Sequence, residues 1–221
     1  MLISLCYAFS KFILWLLFRF RYGLQVRGQE HVPTRGPFII ACNHISFLDP
    51  PVMGVACPRR LRFMARADLF PKPFLGLFLR SIGVMPLKRG EADVGAMRAA
   101  LERLKRGEPV AIFPEGTRQL SGRLGTVKRG VGLLAVAARV PIVPALVQGT
   151  REALPPDATR LQPAKIRVAF GRPISYTITS VPATSSAAPP TEGKTSGRAR
   201  HEQLAEAVTQ SWRRLEEQWH S

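Results

Sequence analysis

The first twenty residues, MLISLCYAFSKFILWLLFRF, are apolar and aromatic around almost the whole circumference of a helix. Charge-free stretches on the two sides of Lys11 run nine and seven residues, well short of the roughly 20 that a spanning helix needs. A lysine at the middle of a span would cost about 2.5–3.5 kcal/mol. At helical spacing Leu5, Phe9, Phe12 and Leu16 share one face, while Ser4, Tyr7 and Lys11 lie on the other. Arg19 and Arg21 close the segment like headgroup anchors. The pattern predicts a membrane-associated helix over residues 1–23 that lies in the interface, with one short span as the alternative. No basic residue precedes the apolar run and no small-residue cleavage site follows it, so it does not read as a signal peptide.

After Gly23 short apolar runs alternate with helical ones. PFIIAC (37–42), LRFMA (61–65), GVMPL (83–87), EPVAIFP (108–114), VPIVPALVQ (140–148) and KIRVAFG (165–171) predict strands. Residues 91–106 set Val94, Met97, Leu101 and Leu104 on one helical face with Arg98, Glu102 and Lys105 opposite, and Gly107 ends that helix. Residues 127–139 predict a second, short-chained apolar helix suited to packing on a sheet. Alternation of this kind implies a single α/β domain over 24–178 with a largely parallel central sheet flanked by helices. Residues 179–200 are rich in Ser, Thr, Ala and Pro and read as a flexible linker. Its Gly193-Lys194-Thr195 imitates the end of a phosphate-binding loop, but Ala188 stands where the required glycine would be and no strand precedes it. Residues 201–221 form an amphipathic helix with Leu204, Val208, Trp212, Leu215 and Trp219 on one face. That face packs on the domain or touches the membrane.

Composition narrows the partners. With 221 residues and 46% hydrophobic positions, the chain can bury a real core. Lys and Arg number 32 against 15 Asp and Glu, a net charge of +17 with a pI near 11.2. Such a surplus calls for a polyanion, either nucleic acid or phosphate-bearing lipids and cofactors. Cations are spread along the domain and aromatics concentrate in the N-terminus and the strands, which does not fit a stacking nucleic-acid surface. The apolar N-terminus points to lipid instead. Three scattered cysteines make neither a disulfide frame nor a zinc site, and no metal-ligand cluster stands out. The expected location is the cytoplasmic face of a membrane.

The chemistry concentrates in IIACNHISFLDPP, residues 39–51. A buried strand ends in Asn43-His44, and Asp49 follows five positions after the histidine. Strand ends at the carboxyl edge of a sheet are where α/β proteins place their sites. Asp49 has two readings. It caps the helix announced by Pro50-Pro51, or it accepts from one imidazole nitrogen and leaves the other free as a base. A second strand end carries AIFPEGTR (111–118), with Glu115, Gly116 for close backbone approach, Thr117 as a hydroxyl and Arg118 as a planar cation suited to phosphate. Lys88-Arg89 follow a third, and Arg59, Arg60, Arg62 and Arg66 form a basic cluster. Standing alone, EGTR reads as a solvated turn and each arginine as a wet surface charge. Cys42 alternates into the buried strand and does not read as a nucleophile. Together the loops suggest base-catalysed transfer to a hydroxyl of a phosphorylated, membrane-resident molecule, without a covalent intermediate.

CNHISFLDP resembles the Asn-His-x4-Asp signature of the glycerolipid acyltransferases, of the 1-acylglycerol-3-phosphate acyltransferase type. GVMPLKR (83–89), FPEGTR (113–118) and VPIVPA (140–145) are similar to that family's next three blocks, in order and at its spacing. The segments VRGQEHVPTRGPFII, RFMARADLF and GTVKRGVGLLA between them agree as well, over residues 24–172. The resemblance implies a glycerol-3-phosphate-acyltransferase-like fold and an acyltransferase in which His44 deprotonates a lysophospholipid hydroxyl and Asp49 orients the imidazole. It implies acyl-CoA or acyl carrier protein as donor and no bound cofactor. Arg89, Glu115, Gly116, Thr117 and Arg118 match its acceptor-binding positions, with Lys88 beside them. Arg66 and Asp68 stand where the family commonly has lysine and glutamate, and Asn43 shapes the turn. The leading acceptor is lysophosphatidic acid, giving phosphatidic acid. Another lysophospholipid, a lyso-ornithine lipid and glycerol 3-phosphate remain alternatives within that chemistry. A thioesterase is a third possibility, and a non-enzymatic basic protein would belong to a different class.

Overall fold

The computed structural model describes residues 2–73, 76–77, 79, 84–87, 92–158, 160–177 and 194–219. The site-bearing strand is β2 (Ile39–Cys42), buried at every position and paired in parallel with β5 (Val110–Ile112) on one side and β6 (Ile142–Gln148) on the other. A continuous apolar run is what a strand covered on both faces requires. Its side chains alternate accordingly: Ile40 and Cys42 enter one core, Ile39 and Ala41 the other.

The main sheet runs β1 (Gln25–Arg27), β7 (Arg167–Phe170), β6, β2, β5. Every neighbour pair is parallel except β6 with β7, so the sheet is largely parallel, as predicted. β3 (Met64–Arg66) and β4 (Met85–Leu87) make a separate parallel pair. The observed strands sit inside the predicted runs or shift by a residue or two, and the short apolar-poor β1 went unpredicted. Two layers of helix cover the main sheet. On one face α1 (Leu2–Arg21), Tyr22 directly after it, and α2 (Asp49–Ala56) bring Phe18, Tyr22, Val52 and Met53 against Ile40, Val143 and Val168. On the other, α3 (Ala92–Lys105), α4 (Gly130–Ala138) and the C-terminal helix bring Leu104, Leu134 and Trp212 against Ile39, Ile142 and Leu146.

Two expectations change. The helix predicted from 127 begins only at Gly130, because residues just before it are drawn into the loop beneath the site. The C-terminal helix runs Lys194–Glu217, so the predicted linker over 179–200 gives way to helix before 201; its other residues through 193 lie outside the described residues. Its apolar face packs on the sheet, with Leu204, Val208 and Trp212 fully buried and the Trp212 indole N–H donating to the Ala41 carbonyl at 3.0 Å. The open choice between domain and membrane is thereby settled for the domain.

The structure adds the orientation of α1. Its polar stripe faces inward: the Lys11 Nζ donates to the Cys57 carbonyl at 2.6 Å, and Tyr7 lies under the Arg60 guanidinium. Cys57 is the C-cap of α2, so the ammonium meets the negative end of that helix. Burial, only partly offset by the contact with Cys57, lowers the Lys11 pKa. The outward face is apolar instead, with Phe9, Phe12 and Phe20 exposed at 66%, 55% and 77%. Among the described residues no helix is long and apolar enough to cross a membrane.

The arginine cluster is largely spent on the fold. Arg59 donates to the Pro33 and Gly36 carbonyls, and Arg62 and Arg103 both pair with Glu108 at 2.6 and 3.2 Å. Burial pushes the Glu108 carboxyl up, but the two guanidinium partners outweigh it and hold the group below the ordinary carboxylate range.

Candidate active site

The carboxyl ends of β2, β5 and β6 share one edge of the sheet, and three loops leave from it. Asn43 opens the first. Its buried amide exchanges two hydrogen bonds with the main chain of Val147, donating to the carbonyl at 3.0 Å and accepting from the N–H at 2.7 Å. The side chain thus extends the β2–β6 pairing past the last strand residue.

The segment after Asn43 then wraps around Asp49, which is fully buried. Its Oδ2 accepts from the His44 Nδ1 at 2.8 Å, the Ile45 N–H at 2.7 Å and the Ser46 N–H at 2.8 Å. Its Oδ1 accepts from the Thr150 hydroxyl at 2.5 Å. The capping reading of Asp49 is therefore corrected. Leu48 holds the N-cap position without a side-chain bond, while Asp49 is itself the first residue of α2 and turns back to the loop. The positive end of α2 still favours a carboxylate there.

His44 is fixed on every side but one. Its N–H donates to the Glu115 Oε2 at 2.6 Å, its carbonyl accepts from the Gln119 N–H at 2.7 Å, and its ring stacks on Phe113 with centroids 4.2 Å apart. An ionised Asp49 only accepts, so the imidazole proton sits on Nδ1. Nε2 has no hydrogen-bond partner among the described residues, and 19% of the side chain is exposed. An imidazole held at Nδ1, with Nε2 unpartnered and the ring locked by its neighbours, has the arrangement that proton abstraction requires.

Glu115 differs from the sequence expectation. It is 4% exposed, and its two oxygens are taken by backbone N–H groups, His44 on Oε2 and Gly125 at 2.8 Å on Oε1. Burial raises its pKa, partly countered by those two bonds and by His44. It therefore ties the His44 loop to the 119–128 loop and does not present a carboxylate to a ligand. Gly116 follows with φ +79°, and a Cβ there would meet the Lys128 ammonium at 2.4 Å. Thr117 is exposed. Arg118 lies with its guanidinium 3.6 Å above the Phe47 ring, so this turn is brought against the His44 loop. Arg66 ends β3; Lys88 and Arg89 lie outside the described residues.

Sequence reasoning missed Thr150, Phe113 and Lys128. Thr150 opens α5 (Thr150–Ala153) after the left-handed Gly149, at the end of β6. Nothing local couples a threonine to a carboxylate 101 positions away. The segment GTVKRGVGLLA did flag Lys128 by resemblance, without a role. The Cys42 and Cys57 thiols are poor nucleophiles: burial raises Cys42 well above its usual value and Cys57 to about 11.

The α/β fold thus sets a hydrogen-bonded His–Asp pair and an arginine-bearing turn together at one sheet edge. The general Acyltransferase family model matches residues 23–148, and the chain belongs to that family. It is 31% identical over 170 residues to a 1-acyl-sn-glycerol-3-phosphate acyltransferase of Bacillus subtilis, covering 76% of this chain and 82% of that protein. It is 32% identical over 157 residues to a chloroplastic enzyme of the same name from Arabidopsis thaliana, covering 69% of this chain but 44% of that one. The chain thus spans most of its bacterial relative and under half of the plant one. The crystal structure of the 1-acyl-sn-glycerophosphate (LPA) acyltransferase PlsC from Thermotoga maritima shares the fold, with TM-score 0.69, 24% identity and coverage of 96% of this chain and 79% of that one.

Proposed function

We propose that this chain transfers a fatty acyl group from an acyl thioester, carried by coenzyme A or acyl carrier protein, to the sn-2 hydroxyl of lysophosphatidic acid, forming phosphatidic acid. The observation that carries the reading is the His44–Asp49 pair with Nε2 unpartnered, set beside the Arg118 turn. The names of the relatives supply the acceptor. Nε2 takes the hydroxyl proton as the oxygen attacks the thioester carbonyl. The tetrahedral oxyanion collapses, the C–S bond breaks, and the leaving thiolate recovers the proton from the imidazolium. Asp49 stabilises that imidazolium and holds the ring in register. Arg118 meets the acceptor phosphate, joined by Arg89, Lys88 and Arg66, which the family resemblance alone assigns there. The buried, protonated thiols favour direct transfer over an acyl-enzyme.

The outward apolar face of α1 supports seating at a membrane surface, with Arg19 and Arg21 at headgroup level. That face would bring the sheet edge to the layer where a lysophospholipid resides.

The test uses purified protein in mixed micelles with lysophosphatidic acid and a long-chain acyl-coenzyme A, following thiol release and phosphatidic acid together. Acceptor-dependent release is expected. Release without acceptor would make the protein a thioesterase, and absence of turnover with either carrier would remove lysophosphatidic acid as substrate. Flotation with phospholipid vesicles checks the interfacial seat; protein left in the aqueous fraction would exclude it.

Thr150→Val keeps the shape of the side chain and deletes the hydroxyl that satisfies Asp49. A buried acceptor left short of a donor costs about 1–3 kcal/mol, read as a lower urea midpoint. Turnover is expected to fall ~10-fold as the carboxylate loses its outer anchor, the size seen when a supporting partner is removed. Thr150→Ser restores both. Unchanged turnover in Thr150→Val would show that Asp49 is held well enough by the loop alone.

A further inference from the structure

Phe47 stands out from its immediate neighbours at the site by its exposure. Its neighbours Ile45 and Ser46 are 5% and 1% exposed and Leu48 is half-buried, yet Phe47 itself is 61% exposed. Arg118 covers part of it, its Cζ lying 3.6 Å from the ring centroid. Arg118 has no hydrogen bond or ion pair among the described residues. From this arrangement, and resting on the reaction proposed above, we infer that Phe47 is a positioning residue for headgroup recognition. Its ring is a shelf that holds the Arg118 guanidinium beside His44, ready for a phosphomonoester.

The physical reason lies in the shape of the guanidinium. Its five N–H donors all lie in its plane, and its faces carry none. A carboxylate partner would fix the group by occupying the donors that a phosphate needs. An aromatic ring fixes it from the face and leaves that fork open for a bidentate phosphate contact. The shelf is itself rigid at its root, because Asp49 pins the N–H groups of Ile45 and Ser46 directly before Phe47. One loop therefore carries the base and the shelf, and sets the distance from the abstracted proton to the bound phosphate. An acceptor with its anion at another distance from its hydroxyl would fit poorly, so Phe47 contributes to specificity without touching the reacting atoms.

The experiment is a double-mutant cycle on the full-length protein in the mixed-micelle assay, with Phe47→Ala, Phe47→Leu, Phe47→Trp, Arg118→Ala and the Phe47→Ala/Arg118→Ala pair. Phe47→Ala is expected to raise KM for lysophosphatidic acid ~3- to 30-fold, the span of a lost cation–π contact, and to lower kcat by less. Phe47→Trp restores the wild-type KM and Phe47→Leu does not. On the Arg118→Ala background, Phe47→Ala adds little, because the two residues act as one unit. If leucine serves as well as tryptophan, or if the alanine effect persists undiminished without Arg118, the ring packs against lipid and the inference is overturned. Thermal melts of each variant separate unfolding from binding, and Leu against Trp decides the matter if Phe47→Ala fails to fold. A wild type with no acceptor-dependent thiol release overturns the proposed reaction first, and this inference with it, before any variant is compared.

Discussion

His44→Ala is expected to lower acceptor-dependent thiol release by ~100- to 10,000-fold, the range assigned to one well-placed general base. The loss should fall on kcat, since the imidazole acts on the hydroxyl proton in the transition state and not on the bound phosphate. The fold should survive. The backbone bonds that hold this position, from its N–H to Glu115 and from the Gln119 N–H to its carbonyl, do not involve the ring. Asp49 keeps its bonds to Ile45, Ser46 and Thr150. What disappears is the Nδ1 bond to Asp49, worth about 1 kcal/mol, and the stack on Phe113, worth about 1 kcal/mol. Urea denaturation should therefore show a small shift beside a large kinetic one. A variant that keeps its rate would place the base elsewhere.

Asp49→Asn should cost about as much, ~100- to 10,000-fold, by a different route. The Asp49 side chain accepts four hydrogen bonds, three on Oδ2 and one on Oδ1. Asparagine offers one acceptor oxygen and one NH2 group. If the oxygen takes the Oδ2 place, the loop holds but the carboxylate charge that stabilises the imidazolium is gone. If the amide turns the other way, its N–H atoms oppose the Ile45 and Ser46 donors, and His44 must accept at Nδ1. Its proton then sits on Nε2, where the base is needed. Both arrangements slow the chemistry. Asp49→Ala is the harsher control: it leaves buried donors without an acceptor, at about 1–3 kcal/mol each. The pair separates roles by rate and denaturation midpoint. A wild-type rate in Asp49→Asn would mean that Asp49 builds the loop and takes no part in the chemistry.

Much of the site could be read from local order along the chain. His44 and Asp49 are five positions apart at the end of an apolar run, and that proximity survives any arrangement of the sheet that buries the run. The roles within FPEGTR could not be read in the same way. Glu115 and Arg118 are both charged and both follow a strand, yet one is buried under two backbone N–H groups and the other stacks at the surface. Burial separates them, and burial depends on which loop lies above.

By itself the sequence determined the elements and the faces they would hide. β2 is uniformly apolar because both its sides are covered, and Leu204, Val208 and Trp212 recur at helical spacing because one face of that helix must leave water. Tertiary structure alone decided what covers each face and which distant groups meet. It turned Lys11 inward onto the end of α2, seated the C-terminal helix on the sheet, and brought Thr150 to Asp49 across 101 positions. The reason is that hydrophobic periodicity is a property of one segment, whereas a hydrogen bond between segments depends on strand order. Here β6 lies beside β2, and only that adjacency places the Thr150 hydroxyl against the Asp49 carboxylate.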